Sequence, residues 1–376
     1  MSKTIMITGQ NGQLGQHLIK FFQNNYPEYK VIGTVRHKSY DKQPKIYDES
    51  KLITELLELT DSVSVEECVK KHKPDYLINT SANAFVGESW LLPESQLDTT
   101  GVGVLRILEA IRKYSPETRF LNLGSSEEMG CVIEDAHNGS QDETTKLNPR
   151  SPYACAKVLA RNIIDTYRQS YKLYAVQPWN FNFESELRGE KYFTRKITKG
   201  VSRIYHAIKN QQSFAPIEVG NLNSYRSWQH AEDVAEGLWL ILNQEQHRDD
   251  LKALNFTREV KTPAYWSDKI KPYVLSENQT HPLKEFVEKA FAVAGIYGYW
   301  EGEGLQEKFI IENHLIEEYN LKSWVLISVN PEFFRPNEVS FLFGNSDKAR
   351  NELGWTPKVS FEQLVKRMTL NDLNNP

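Results

Sequence analysis

The sequence predicts an α/β protein: a Rossmann-type, doubly wound parallel sheet followed by a smaller C-terminal α/β substrate-binding domain. Three observations predict it. An apolar strand at the start runs into a glycine-rich turn and an amphipathic helix. Strand and helix signals then alternate through the first half. Beyond about Trp179 they loosen into longer loops with aromatic, Arg and Asn residues. Such alternation argues for parallel strands with helices on both faces, and it places a site beyond the carboxyl ends of the strands.

Lys3 to Thr8 reads as a buried strand, and Gly9, Gly12 and Gly15 follow it directly. The helix after them carries Leu14, Leu18, Phe21 and Phe22. Glycines let backbone approach a pyrophosphate, and a helix N-terminus offers free N–H groups to the anion. Gly9, Gln10, Asn11, Gly12, Gln13, Leu14 and Gly15 are therefore the candidate cofactor loop. The next strand, Lys30 to Thr34, ends at Arg36, with His37 and Lys38 behind it. Cations at that place, without an acidic residue for a ribose 2′-hydroxyl, favour a 2′-phosphate and hence NADP.

Further strands are expected at Tyr76 to Asn79, Arg119 to Leu123 and Leu173 to Gln177, with helices at Val102 to Lys113 and Ala154 to Gln169. In the last of these helices Tyr153 and Lys157, four residues apart, lie one turn apart on one face. An ammonium beside a phenol is expected to lower the phenol pKa toward working pH, giving a base for a sugar hydroxyl. Gly124 to Gly130 follows the Arg119 strand. There Ser125 is placed to bridge a sugar oxygen and Tyr153, and Glu127 adds a carboxylate. A redox pair needs only Ser, Tyr and Lys, so Glu127 suggests a second proton transfer at another carbon. The competing reading makes Glu127 and Glu128 surface charges in a turn.

Composition narrows the class. The chain has 376 residues, 40% of them hydrophobic, enough for one large or two interlocked domains. A net charge of −4 argues against nucleic acid as the main partner. The basic clusters Arg36 to Lys45 and Arg188 to Lys199 are local and suit phosphates. Cys68, Cys131 and Cys155 form no metal-ligand spacing, so no metal is expected, and their odd number suits reduced thiols in the cytoplasm. No signal peptide or long apolar run is present, so no membrane partner is expected either.

Thr8-Gly9 with Gly12 and Gly15, the Ser-Ser-Glu turn and Tyr153 with Lys157 resemble the extended short-chain dehydrogenase/reductases. Other stretches are similar to the GDP-mannose 4,6-dehydratase family in particular. They are Asn182-Phe183-Glu184-Ser185, Arg188-Gly189-Glu190, Thr194-Arg195-Lys196, Gly220 to His230, Phe334 to Val339 and Lys348 to Pro357. They run in family order over nearly the whole chain. The resemblance implies residues 1–178 as an NADP-binding Rossmann domain and 179–376 as mainly a GDP-sugar-binding domain, with part of 220–250 returning to the first. It implies a hydro-lyase that converts GDP-mannose to GDP-4-keto-6-deoxy-mannose by internal hydride transfer through NADP and loss of water. It also implies a homo-oligomer, dimer or tetramer, in which the Arg36 to Lys45 loop reaches a neighbour's cofactor.

Carried over position by position, the resemblance makes Tyr153 the C4-hydroxyl base, Lys157 its partner, Ser125 the hydroxyl position and Glu127 the C5 base. Ser126 stands where the related dTDP-glucose enzymes carry Asp. Glu58 and Leu59 match the adenine edge of the cofactor site. Asn182, Lys196, Arg226, Arg335 and Glu338 match substrate contacts, while Trp228 reads as packing. The departures concern the sugar. Phe183 and Phe85 replace two family histidines, Leu187 replaces an arginine, and about four residues are inserted around His137 to Gln141. A longer GDP-sugar such as a heptose, a nucleotide-sugar epimerase or reductase, and a non-catalytic dinucleotide sensor remain as alternatives.

Overall fold

Strand β1 (Thr4–Thr8) is buried from its second residue onward, so Ile5, Met6 and Ile7 pack helices on both sides of the sheet. This is the continuous apolar run that a central parallel strand needs. The structure is a computed structural model describing residues 2–36, 44–130, 139–255, 261–314, 323–334, 337 and 339–376. After β1 come α1 (Gln13–Asn25), β2 (Lys30–Val35), β3 (Leu52–Leu56), α2 (Ser62–His72), β4 (Tyr76–Asn79), α3 (Gly103–Tyr114), β5 (Arg119–Asn122), α4 (Pro152–Tyr171) and β6 (Ala175–Val176). The six strands pair in the order β3-β2-β1-β4-β5-β6, every pair parallel. The sheet order reverses between β1 and β4, and the crevice lies there, beyond the carboxyl ends.

Two elements escaped the sequence reading, for physical reasons. Edge strand β3 is half exposed and carries Thr54 and Glu55, so it lacks an apolar signature. Helix α2 opens on Ser62, Val63, Ser64 and Val65, residues of low helix propensity, and buries only Val65, Cys68 and Val69. Strand β6 is shorter than expected, with Pro178 two residues beyond its end, though the Tyr174 carbonyl still accepts the Phe120 N–H at 2.8 Å.

The later elements are β7 (Trp179–Asn180), β8 (Asn182–Glu184), α5 (Phe193–Lys209), β9 (Ile217–Val219), β10 (Tyr225–Arg226), β11 (Trp228–His230), α6 (Ala231–Leu242), β12 (Val274–Leu275), β13 (His281–Pro282), α7 (Leu283–Val293), β14 (Gly298–Glu301), β15 (Lys308–Ile311), β16 (Val325–Val329), α8 (Asp347–Leu353) and α9 (Phe361–Asn374). A second sheet runs β14-β15-β16-β9, and its apolar face packs on α5, α7 and α9 through Val201, Phe286, Phe309 and Leu364. Helix α6 instead shares the core of the first sheet. Val234, Leu238 and Trp239 pack with Ile5, Leu18 and Phe22, and the Trp239 indole N–H donates to the Tyr26 hydroxyl at 2.6 Å. The pair β8–β11 thus ties the two sheets together above the crevice. Among the described residues no helix is long and apolar enough to cross a membrane.

Candidate active site

Helix α4 begins where its sequence says it should. The Ser151 side chain accepts the Ala154 N–H, and Pro152 occupies the first turn. Starting there puts Tyr153 and Lys157 on the buried face, toward the end of β5. The chain leaving β5 must turn tightly, and Gly124 permits it: a Cβ there would stand 2.0 Å from the Pro178 carbonyl oxygen. Ser125 then caps the short helical turn Ser126–Glu128. Its Oγ accepts the Glu127 N–H at 3.2 Å, and the Glu128 carboxylate returns to the Ser125 N–H at 2.8 Å.

The two adjacent glutamates part company in this turn. Glu128 is fully buried and bonds the Arg161 guanidinium at 2.5 Å and the Gln177 amide at 3.0 Å. It is a structural carboxylate that ties the turn to α4 and β6. Glu127 sits in the wall of a cavity of about 690 Å³. The competing reading of two surface charges fails, because neither residue is exposed.

That cavity brings together Ser125, Ser126, Glu127, Tyr153 and Lys157 with Asn182, Lys196 and Arg226. Ser125 and Tyr153 line the cavity together, with Ser125 placed to stabilise the Tyr153 phenolate. The Lys157 ammonium donates to the Leu123 carbonyl at 2.5 Å and stands 5.7 Å from the Tyr153 ring centroid. Here the structure corrects the idea of a phenol lowered by its lysine. Burial pushes the Tyr153 phenol up, opposed by the Ser125 hydrogen bond and reinforced by Glu127. Burial likewise pushes Lys157 down to about 8, opposed by the nearby Glu128. With its ammonium turned to a backbone carbonyl, Lys157 does not offset the desolvation of the phenol in the protein alone.

A pH test follows. The ordinary lysine value is 10.5, so below about pH 8 folding confines a charge that the unfolded chain keeps hydrated. That cost fades as pH rises from about 8 toward about 10.5, because the unfolded chain binds more protons across this interval. The stability of the parent relative to Lys157→Met should therefore rise between about pH 8 and about pH 10. Thermal unfolding of both proteins measures it, and a pH-independent gap would contradict the assignment.

The cofactor loop fits a dinucleotide. Gly9 has φ +72°, and a Cβ on Gly15 would lie 2.2 Å from the Gly9 carbonyl oxygen, so the turn closes only with hydrogen there. Gly12 caps α1 without any side chain, leaving the first amides to an anion. Loop side chains largely serve the protein. Gln13 donates to the Phe183 carbonyl at 3.1 Å and accepts from Ser185 at 2.9 Å, Gln10 reaches Thr54 at 3.4 Å, and Asn11 accepts from Lys45 at 2.9 Å. The side chains of Leu14 and Leu59 are buried in the cores flanking the sheet, so these two positions offer a cofactor their backbone. Glu58 accepts the Thr60 N–H at 3.1 Å, and Arg36 is exposed just past β2. Of the expected Arg36 to Lys45 loop, residues 37–43 lie outside the described residues.

On the substrate side, Arg226 is buried and donates to the Tyr225 carbonyl at 2.9 Å. The Lys196 ammonium stands 3.7 Å from the Phe333 ring centroid, where burial lowers its pKa. Arg188 bonds Glu184 at 3.1 Å and lies 3.6 Å over Tyr192, whose ring meets Phe85 edge-on at 5.4 Å. Trp228 stacks on Phe361 at 5.5 Å and packs there. Arg335 and Glu338 lie outside the described residues, although their neighbours Phe333 and Phe334 line the cavity. The sequence reading missed Asn180, Tyr192 and Phe333. For Asn180 a signal existed, since it stands two positions before Asn182, on the same side of an extended segment.

Residues 6–266 and 261–368 match the family described as GDP-mannose 4,6 dehydratase. The chain belongs to that family. It is 35% identical over 382 residues to the GDP-mannose 4,6 dehydratase of Drosophila melanogaster, covering 99% of this chain and 86% of the relative. It is 32% identical to the GDP-mannose 4,6-dehydratase of Vibrio cholerae, covering 99% of this chain and 94% of that one. In fold it is similar to dTDP-glucose 4,6-dehydratase from Bacillus anthracis, solved with NAD (TM-score 0.69, 17% identity, 100% and 97% of the two chains). UDP-glucose 4-epimerase from Thermotoga maritima, solved with UDP-glucose, is similar as well (TM-score 0.70, 17% identity, 99% of each chain). The chain thus shares its fold with both a dehydratase and an epimerase, so the fold alone does not distinguish the two chemistries.

Proposed function

We propose that the protein is a GDP-mannose 4,6-dehydratase, a hydro-lyase giving GDP-4-keto-6-deoxy-mannose. The observation that carries this is Glu127 in one cavity with Ser125, Tyr153 and Lys157. A dinucleotide held by the Gly9–Gly15 turn and the first amides of α1 would supply the hydride acceptor. Tyr153 takes the C4 hydroxyl proton as C4 loses hydride, and Ser125 holds that oxygen. The new ketone acidifies C5, Glu127 takes the C5 proton, and the C6 hydroxyl leaves as water. Return of the hydride to C6 and of a proton to C5 would complete the reaction with no net change of oxidation state.

Arg36 past β2 and Lys45 at Asn11 support NADP through attraction for a 2′-phosphate. Asn182, Ser126, Lys196 and Arg226 hold the GDP-sugar in this reading, with Arg335 and Glu338 assigned by family position. We assign residues 1–178 to the cofactor and 179–376 mainly to the sugar nucleotide, with α6 and its surroundings returned to the first. A cytoplasmic homo-oligomer, dimer or tetramer, completes the reading.

The deciding experiment is incubation with GDP-mannose and NADP in heavy water, followed by mass spectrometry. Loss of one water with one deuterium at C5 is expected. Deuterium uptake without water loss would make the protein an epimerase, and an unchanged mass would remove GDP-mannose as substrate.

A further inference from the structure

Asn180 closes β7, where extended backbone carries the chain across the floor of the cavity. Two hydrogen bonds fix this segment: the Trp179 N–H donates to the Tyr273 carbonyl at 2.9 Å and the Phe181 N–H to the Leu275 carbonyl at 3.0 Å. Trp179 and Phe181 pack into one apolar cluster with Met129, Val274 and Leu342. Alternation along extended chain sets Asn180 and Asn182 on the opposite side, and both line the cavity. Asn180 is only 4% exposed. Its amide nitrogen reaches the Gly124 carbonyl at 3.5 Å, beside the catalytic turn, while its Oδ1 has no hydrogen-bond partner. The Oδ1 of Asn182 is likewise buried without a partner.

Native proteins seldom leave buried acceptors unmatched, because each forfeits the hydrogen bonds it had in water. Two such oxygens on one wall, next to Ser125, call for donors from whatever fills the cavity. A sugar turned over here at C4, C5 and C6 keeps its C2 and C3 hydroxyls unchanged, and these are neutral O–H donors. We infer that Asn180 is a specificity-determining residue whose carboxamide oxygen accepts a hydrogen bond from the C2 or C3 hydroxyl of the sugar, alongside Asn182. This rests on the dehydratase reading above and adds a recognition contact to it. A sugar nucleotide lacking that hydroxyl is discriminated against because it leaves the Asn180 oxygen buried and unpaired.

The test compares the full-length parent with Asn180→Leu and Asn180→Ala, each checked by its thermal midpoint. GDP-mannose and its 2-deoxy and 3-deoxy analogues are the probes. Both variants should raise KM and the directly measured Kd for GDP-mannose by about 3- to 10-fold, the loss falling on binding rather than kcat. NADP affinity, titrated without substrate, should not change. One deoxy analogue should bind the parent more weakly by a similar factor yet cost the variants nothing further. Weakened NADP with unchanged GDP-mannose binding would assign the oxygen to the cofactor amide and overturn the inference. Unchanged GDP-mannose binding, or equal penalties for both analogues in parent and variants, would overturn it too. A parent that binds GDP-mannose without losing water would remove the dehydratase reading, while the Kd comparison still decides Asn180.

Discussion

Tyr153→Phe is expected to lower kcat by about 10²–10⁴, the usual contribution of a positioned general base. The change removes one oxygen and keeps the ring that fills the buried start of α4. Ser125 loses its contact with the phenol but still accepts the Glu127 N–H at 3.2 Å, so the turn keeps its cap. Lys157 still donates to the Leu123 carbonyl. NADP affinity and thermal midpoint should therefore stay close to the parent's while turnover collapses. Steady-state rates with a parallel cofactor titration separate the two. Parent-like turnover would remove Tyr153 from the chemistry.

Glu127→Gln is expected to stop the reaction half-way. The C4 proton goes to Tyr153 and needs nothing from Glu127, so oxidation at C4 should proceed once per site. Loss of water should not, because an amide does not take the C5 proton. In a single turnover, reduced nicotinamide absorbance should rise and persist, and the sugar should stay hydrated without deuterium at C5. The substitution keeps size and shape, and Glu128 with Arg161 and Gln177 still holds the turn. Dehydrated product at the parent's rate would refute the role and favour an epimerase or reductase.

Much of this site is legible in the sequence because it is local. Tyr153 and Lys157 sit four apart behind a Ser-Pro helix start, and that spacing alone aligns them. Strand, glycine turn and helix at residues 4 to 25 likewise follow from neighbouring residues. Strand β3 was less legible, since an edge strand needs little apolar content. The protonation of Tyr153 misled the sequence reading because a charge–charge rule was applied without its solvent. Burial opposes the phenolate, and the lysine points to a carbonyl instead.

The sequence by itself determined the strand–glycine turn–helix unit at its start, the alignment of Tyr153 with Lys157 and the family, because each rests on spacing within one turn, one strand or one motif. Only the tertiary structure showed what keeps Glu128, the neighbour of Glu127, out of the cavity. Arg161, from α4, and Gln177, beyond β6, claim Glu128, and that meeting depends on long-range packing. It likewise revealed the unpaired Asn180 oxygen, since whether a polar atom is satisfied depends on everything folded around it.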